Sequence, residues 1–341
     1  MKFGWKGALG IVLSVVFLYL AFRKINWSAA FDAARHANYG LLALSVVAAT
    51  GMFVLRARRW RTILDPVAPA LPFGPLWRAI ATGQMVTNIL PGRAGEIVRP
   101  YVLSREVPSV PFSMSLASVA VDRVFDAIVV LLLLGVSMLS PGLPGTLEIE
   151  GHTLTLTQIV RYFGLAPIAL LVLLYALVFF PDRLIKLFEA FARPVSRALE
   201  TKGSQMLRRF ADGLSVLRNP KHFTAVFLWT LAHWLLQPLA FWLAMLAFGI
   251  HAPIAATLFV QGVIVAAVAI IPSPGFFGVF EAAGAAGLAA YGVDPTLGTT
   301  WALVFHVATF IPITLIGAYY FARTGLTLGE IGSASKSPDA E

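Results

Sequence analysis

The sequence predicts an all-α polytopic membrane protein, an inverted repeat with two re-entrant broken-helix hairpins. Three observations lead there. Of 341 residues, 58% are hydrophobic and 13% charged, about half the charged share of a soluble domain, and mean hydropathy is +0.79. Several apolar runs approach the ~20 residues that cross a bilayer, and they are too continuous for outer-membrane strands, which alternate residue by residue. Two long apolar stretches are each interrupted by a Pro-Gly break followed by a Glu. The chain has no cysteine, which removes disulfides, thiol nucleophiles and Cys-ligated metals. The net charge of +9 is read as loop charge on the cytoplasmic side, not as a nucleic-acid surface.

In chain order, Lys2 and Lys6 precede an apolar run from Gly7 to Phe22. No small-residue cleavage site follows, so the run reads as a retained first helix and not a signal peptide. A second run, Tyr39 to Leu55, ends in Arg56, Arg58, Arg59 and Arg61. That cluster is expected in the cytoplasm, and the N-terminus with it. A third run, Phe112 to Leu139, leads to a loop with Glu148 and Glu150, expected outside, and Tyr162 to Phe180 returns inward. Between Pro181 and His222 nine basic residues face only four acidic ones. Leu184, Leu187, Phe188, Phe191 and Val195 recur there at helical spacing, the pattern of a helix lying on the inner leaflet. The runs Phe223 to Gly249, Pro253 to Tyr291 and Thr299 to Phe321 complete the chain. The domain reading is therefore 1–325 in the membrane, with halves near 1–180 and 223–325 joined by 181–222, and a disordered cytoplasmic tail at 326–341.

The two interrupted stretches form a pair. The first contains Asn88, Pro91, Gly92, Arg93, Gly95 and Glu96; the second contains Pro272, Pro274, Gly275, Gly278 and Glu281. Proline removes a helical donor and glycine permits unusual dihedrals, so both arms stop at these points. Irregular backbone at membrane depth survives only inside protein or against a water-filled cavity. Arg78, Arg99 and Arg105 flank the first stretch, so it re-enters from the cytoplasm; the second, flanked by His251 and Asp294, re-enters from outside. Interrupted segments at corresponding positions of two halves point to a transport site. The alternative is two short loops between ordinary short helices.

Ionisable residues within apolar runs are functional candidates by default. Glu96, Arg93 and Glu281 lie at the breaks, and Asp122, Arg123 and Asp126 lie inside the third run. Asp122 and Asp126 share a helical face. Internal ion pairing accounts for the latter three as well as a functional role does. Half-helix ends and Arg93 suit a phosphate; whether the carboxylates receive a cationic headgroup or protons stays open. His233 and His306 read as packing or interfacial residues. Nucleotide, nucleophile-elbow and zinc motifs are absent from the sequence, so no cofactor is expected, and transport is downhill, ion-coupled or partner-driven.

The run from Asn88 to Glu96, the pair Asp122-Arg123 entering a long apolar run, and Ile271 to Gly275 followed by Val279-Phe280-Glu281 together resemble the lysylphosphatidylglycerol synthase transmembrane, or flippase-like, family over roughly residues 5–325. The resemblance implies lipid translocation through a cavity built from re-entrant helices. It carries Arg93, Glu96, Asp122, Arg123 and Glu281 as headgroup or gating residues. It implies membrane lipids as partners and allows a lipid-modifying enzyme or glycosyltransferase, or a second copy of the chain, beside them. The expected location is a bacterial inner membrane, with both termini cytoplasmic by the charge pattern above. Full synthases add a soluble aminoacyl-transferase domain, so lysyl transfer is not expected of this chain; no catalytic motif is recognised, and the alternative to translocation is an integral membrane enzyme or accessory protein acting on a lipid-phosphate sugar or in hopanoid metabolism, with Asp122, Asp126 or Glu96 as acid/base groups. Where the family commonly has Gly-Gly after the second break, this chain has Phe276-Phe277, a bulkier cavity wall.

Overall fold

The computed structural model describes residues 27–90, 94–138, 146–149, 152–155, most of 179–208 with isolated positions from 169 to 176, 219–271 and 273–324. The first run, the segment 156–168, the tail, and Pro91, Gly92, Arg93 and Pro272 lie outside them, so the readings placed there are neither supported nor opposed.

The helices follow the apolar runs and stop at their punctuation. After a short α1 (Trp27–His36), Asn38 caps α2 (Tyr39–Leu64), its side chain accepting from the Leu41 N–H at 3.1 Å. Helix α2 does not end at Leu55, because nothing in the arginine cluster breaks a helix; it continues through it for more than two turns. Pro72 precedes α3 (Phe73–Ile89), which ends in extended backbone at Leu90; α4 (Gly95–Glu106) follows the break. Pro111 precedes α5 (Phe112–Ser137). The amphipathic α6 (Pro181–Ala192) buries Ile185 and Ala192 and leaves Leu187 and Phe191 exposed, so its inward face is offset from the expected stripe. Asn219 caps α7 (Pro220–Ala247), and α8 (Ile254–Ile270) runs to the second break. There a 3-10 turn (Pro274–Phe276) leads to α9 (Val279–Ala289). Asp294 then accepts the Thr296 and Leu297 N–H groups at the start of α10 (Pro295–Thr324).

Outside the helices, β1 (Thr146–Ile149) and β2 (His152–Thr155) pair antiparallel with Thr146 opposite Thr155. This small hairpin is an addition to the all-α expectation and lies in the loop that follows the run Phe112 to Leu139.

Helices α2, α7 and α10 are long and apolar enough to cross a membrane. Helix α5 matches them in length, 26 residues or about 39 Å, but carries three charges. The chain is a membrane protein. Helices α2 and α7 form the most extensive contact and run antiparallel, the Asn38 N–H donating to the Ala247 carbonyl at 2.8 Å. On one side of this pair, Trp60 and Leu64 of α2 pack with Leu76 and Ile80 of α3, Val102 and Leu103 of α4, and Ile313 of α10. On the other, Phe241 of α7 packs with Val260 of α8, Leu288 of α9, and Trp301 and Phe305 of α10. The long helices cross over: α10 packs along α3, and α5 along α8.

The arms at the breaks are unequal. Helices α3 and α8 each have 17 residues, α4 has 12 and α9 has 11. The second arms, about 18 Å long at most, fall short of the ~30 Å hydrocarbon core. Arms α3 and α4 touch backbone to backbone: a Cβ at Gly95 would collide with the Gly83 carbonyl and the Thr87 hydroxyl. At the second break Gly275 and Gly278 have positive φ, 57° and 81°, which glycine alone adopts freely.

Candidate functional site

Helix α5 brings Asp122, Arg123 and Asp126 into the middle of the protein, where an unpaired charge is prohibitively costly. The compensating charges come from α2 and α4. Arg59, fully buried, bridges Asp122 Oδ1 at 2.6 Å and Asp126 Oδ1 at 2.5 Å. Arg99 Nη2 donates to Asp122 Oδ2 at 2.9 Å, and its guanidinium lies 4.5 Å from the Trp60 ring centre. Trp60 is itself held by donating Nε1–H to Ser118 Oγ at 2.7 Å. Trp234 of α7 donates to Asp126 Oδ1 at 2.7 Å. Arg123 reaches Asp126 Oδ2 at 3.3 Å and Glu96 of α4 at 3.4 Å. The network thus ties α2, α4, α5 and α7 at one depth.

Above it lies a cavity of about 570 Å³. One wall is polar: Arg56, Gln84, Glu96, Arg99, Arg123 and Asp126, with Trp234. The other is apolar, made by Val130, Leu131 and Leu134 of α5 and Gly262, Val265 and Ala266 of α8, with Phe276 from the second break. Arg56 differs from its neighbours. It donates to Gln84 Oε1 at 3.2 Å and has no carboxylate partner among the described residues. With it, among the described residues, four guanidinium groups (Arg56, Arg59, Arg99, Arg123) face three carboxylates (Glu96, Asp122, Asp126). From Gln84 a chain of side-chain hydrogen bonds continues through Asn88, at 2.9 Å, to Thr314 of α10, at 2.7 Å. The two breaks meet here, for Gly275 sits under the Asn88 carbonyl, with room for no Cβ.

Of the residues singled out in the sequence, Glu96, Arg123 and Asp126 line the cavity, Asp122 lies directly behind it, and Asn88 links the breaks. Glu281 is not brought to the cavity. It is fully buried, accepts the Gly278 N–H at 2.6 Å and lies 2.7 Å from His306 Nδ1. His306, read as a packing residue, is thereby a polar partner as well. Three arginines pair inside the protein where the sequence suggested only flanking charge. Arg56, Arg59 and Arg99, taken as cytoplasmic flanking charge, are members of the network; only Arg58 of the four clustered arginines is exposed. The available signal was spacing: Arg56, Arg59, Trp60 and Ile63 share one face of α2 once the helix is extended past Leu55. Trp234 gave no signal, since an indole in an apolar run reads as a belt residue. Among the described residues no group of three His, Asp or Glu side chains is arranged to hold a metal.

The family described as the lysylphosphatidylglycerol synthase TM region matches residues 7–317. A UPF0104 membrane protein from Methanothermobacter thermautotrophicus is 30% identical over 338 residues, 92% of this chain and 93% of that protein. The glycosyltransferase AglD of Haloferax volcanii is 32% identical over 139 residues, 41% of this chain and 22% of that protein. No solved structure matches the chain.

Proposed function

This chain belongs to the lysylphosphatidylglycerol synthase transmembrane family, and from that premise we propose that it moves an anionic, phosphate-bearing lipid between membrane leaflets. The observation that carries the reading is the two-walled cavity. Among the described residues its polar wall holds one guanidinium more than carboxylates, and Arg56 is the one without a carboxylate partner. Its apolar wall offers hydrocarbon a surface as apolar as the bilayer. An amphiphile with a negative head fits such a cavity, the head among the arginines and the tails along α5 and α8. Each carboxylate of the network already accepts from or pairs with a guanidinium. That arrangement suits electrostatic binding better than proton donation to a reacting group.

The topology supports alternating access. We read α2–α5 and α7–α10 as the two repeats, each a long helix, a broken pair and a second long helix. Antiparallel α2 and α7, the reciprocal packing of α10 on α3 and α5 on α8, and second arms too short to span all favour an inverted pair with re-entrant hairpins. In such folds the substrate lies at the repeat interface near mid-membrane; the approach of Gly275 to the Asn88 carbonyl, which joins the two breaks, supports a site between them. The basic linker helix α6 and the arginine-rich ends then lie on the cytoplasmic side of a bacterial inner membrane.

The test is leaflet exchange in proteoliposomes, using tail-labelled phosphatidylglycerol and phosphatidylcholine with an impermeant quencher. Faster exchange of the anionic lipid than in empty vesicles is expected. Exchange at the empty-vesicle rate across a panel that includes polyprenyl phosphates would overturn the reading.

The match to a protein named as a glycosyltransferase favours a second reading, an enzyme or accessory in lipid-phosphate-sugar metabolism. Lipid mass spectrometry of a deletion strain separates the two. A missing chemical species supports the second reading; an unchanged inventory with altered leaflet distribution supports translocation.

A further inference from the structure

The pair at the second break is set apart from the arginine network. Glu281 Oε2 accepts the Gly278 N–H at 2.6 Å and so closes the N-terminus of α9, while Oε1 lies 2.7 Å from His306 Nδ1 on α10. Both side chains are buried, at 0% and 6% exposure. The imidazole sits against the rings of Phe280 and Phe277, with centroids 4.4 and 4.6 Å away. No Lys or Arg among the described residues reaches the carboxylate. Helices α8 and α9 carry no other titratable side chain. Those on the other packed elements make their contacts elsewhere: Asp32 with His36 on α1, where Arg35 is exposed as well, Arg78 of α3 with Glu106, Tyr39 and Arg58 of α2 with the Ala34 carbonyl and the Phe73 ring, Arg56, Arg59 and His233 around the cavity network, and Tyr319, Tyr320 and Arg323 with one another.

Two protonation states satisfy this geometry. With one proton on Nδ1 the pair is an imidazole donating to a carboxylate, net charge minus one, eased by the α9 N-terminus. With one more proton it is neutral, as imidazolium and carboxylate or as imidazole and carboxylic acid. In apolar surroundings a one-proton difference is a full unit of uncompensated charge, and its carrier is the cap of α9. Phe276, two residues before Gly278, forms part of the cavity wall, and Phe277 lies on His306. A change in the cap therefore acts beside the bound head.

We propose that Glu281 and His306 form a proton-binding site at the second break, and that lipid movement through the cavity is coupled to its occupancy. The proposal rests on the translocation reading above. It has a physical use: a proton moving with a singly anionic head makes the step electrically neutral, so the membrane potential does not oppose it.

The test uses the reconstituted full chain with tail-labelled phosphatidylglycerol and an entrapped pH dye, with and without an imposed pH gradient. Wild type is expected to exchange lipid faster under the gradient and to report proton movement with each lipid. Glu281→Gln keeps an oxygen for the Gly278 N–H and His306→Phe keeps the ring stack; each is expected to exchange lipid without the dye signal and without response to the gradient. Wild-type exchange that is insensitive to the gradient, with a silent dye, overturns the proton site and leaves translocation standing. Absence of exchange under every condition overturns translocation itself. Should the variants not fold, the wild-type dye record alone decides.

Discussion

Arg59 is the residue on which the interior depends most. It sits between two carboxylates with no exposed surface, so removing it strands both acids. Breaking a buried pair from one side costs about 3–5 kcal/mol, and Arg59→Ala is expected to lose most folded protein in detergent, read as monodisperse yield and melting temperature. Arg59→Lys should recover little, because one ammonium lacks the planar fork that reaches Asp122 and Asp126 together. Arg56 is the opposite case. It has one neutral partner, Gln84, so Arg56→Gln should leave the melting temperature nearly unchanged. A lost hydrogen bond between charged groups is worth about 1.5–3 kcal/mol, so the same change should weaken anionic-lipid binding by roughly ten- to a hundredfold. Wild-type affinity in Arg56→Gln would remove this arginine from the site. Gly95→Ala is expected to be among the most damaging single-methyl additions, because the new carbon meets the Gly83 carbonyl oxygen, which has nowhere to go. The added methyl at Gly249, also of positive φ but in open space, should cost only about 1 kcal/mol of backbone strain. Melting both variants side by side checks that ordering.

At the scale of elements, each hairpin has one long and one short arm, and the short arms do the positioning. Helix α4 carries Glu96 to Arg123 and Arg99 to Asp122, neighbouring members of the α5 charge group. Helix α9 begins at the Glu281 cap and fixes where Phe276 stands. Phe276→Ala removes a ring from the cavity wall while Phe277, packed on His306 and Phe310, stays in place. This variant is expected to accept lipids with larger heads, measured as a rise in exchange of glycosylated lipid relative to phosphatidylglycerol. An unchanged ratio would show that the ring does not limit the passage. Helix α6 lies between the halves in the chain; its Leu184 packs on the cluster of Val121, Phe125 and Ile128 of α5 with Val226 of α7, and its Ile185 is buried. Its exposed Leu187 and Phe191 stand beside Arg183 and Lys186, which fits residence at a lipid–water boundary.

For the whole molecule, the re-entrant reading makes a topological prediction that the cysteine-free sequence renders simple to check. Single cysteines at the exposed positions 72 and 105 are expected to label with an impermeant maleimide from the same side of the membrane, and those at 254 and 291 from the opposite side. Labelling of 72 and 105 from different sides would make the first hairpin an ordinary pair of spans. Much of this architecture was legible beforehand. Apolar runs must leave water wherever they fall, so composition and run length alone place α2, α5, α7, α8 and α10. Proline and glycine act on the backbone locally, so the breaks after Ile89 and Ile270 were legible too. Asp122 and Asp126 announced themselves because a charge in an apolar run needs a reason. What the linear chain could not display was which positive groups answer them. Arg59 and Asp126 are far apart in sequence, and nothing local distinguishes an arginine that points into protein from one that points to the cytoplasm. Glu96 and Glu281, alike in their local motifs, likewise part company only when α4 meets α5 and α9 meets α10: one faces Arg123 at the cavity, the other His306 behind an aromatic wall. The sequence by itself determined a membrane chain of broken and unbroken helices, since hydropathy and backbone chemistry are local properties. The tertiary structure alone decided which charges cancel and which arginine stays in surplus, since pairing depends on distances between helices that the order of residues does not contain.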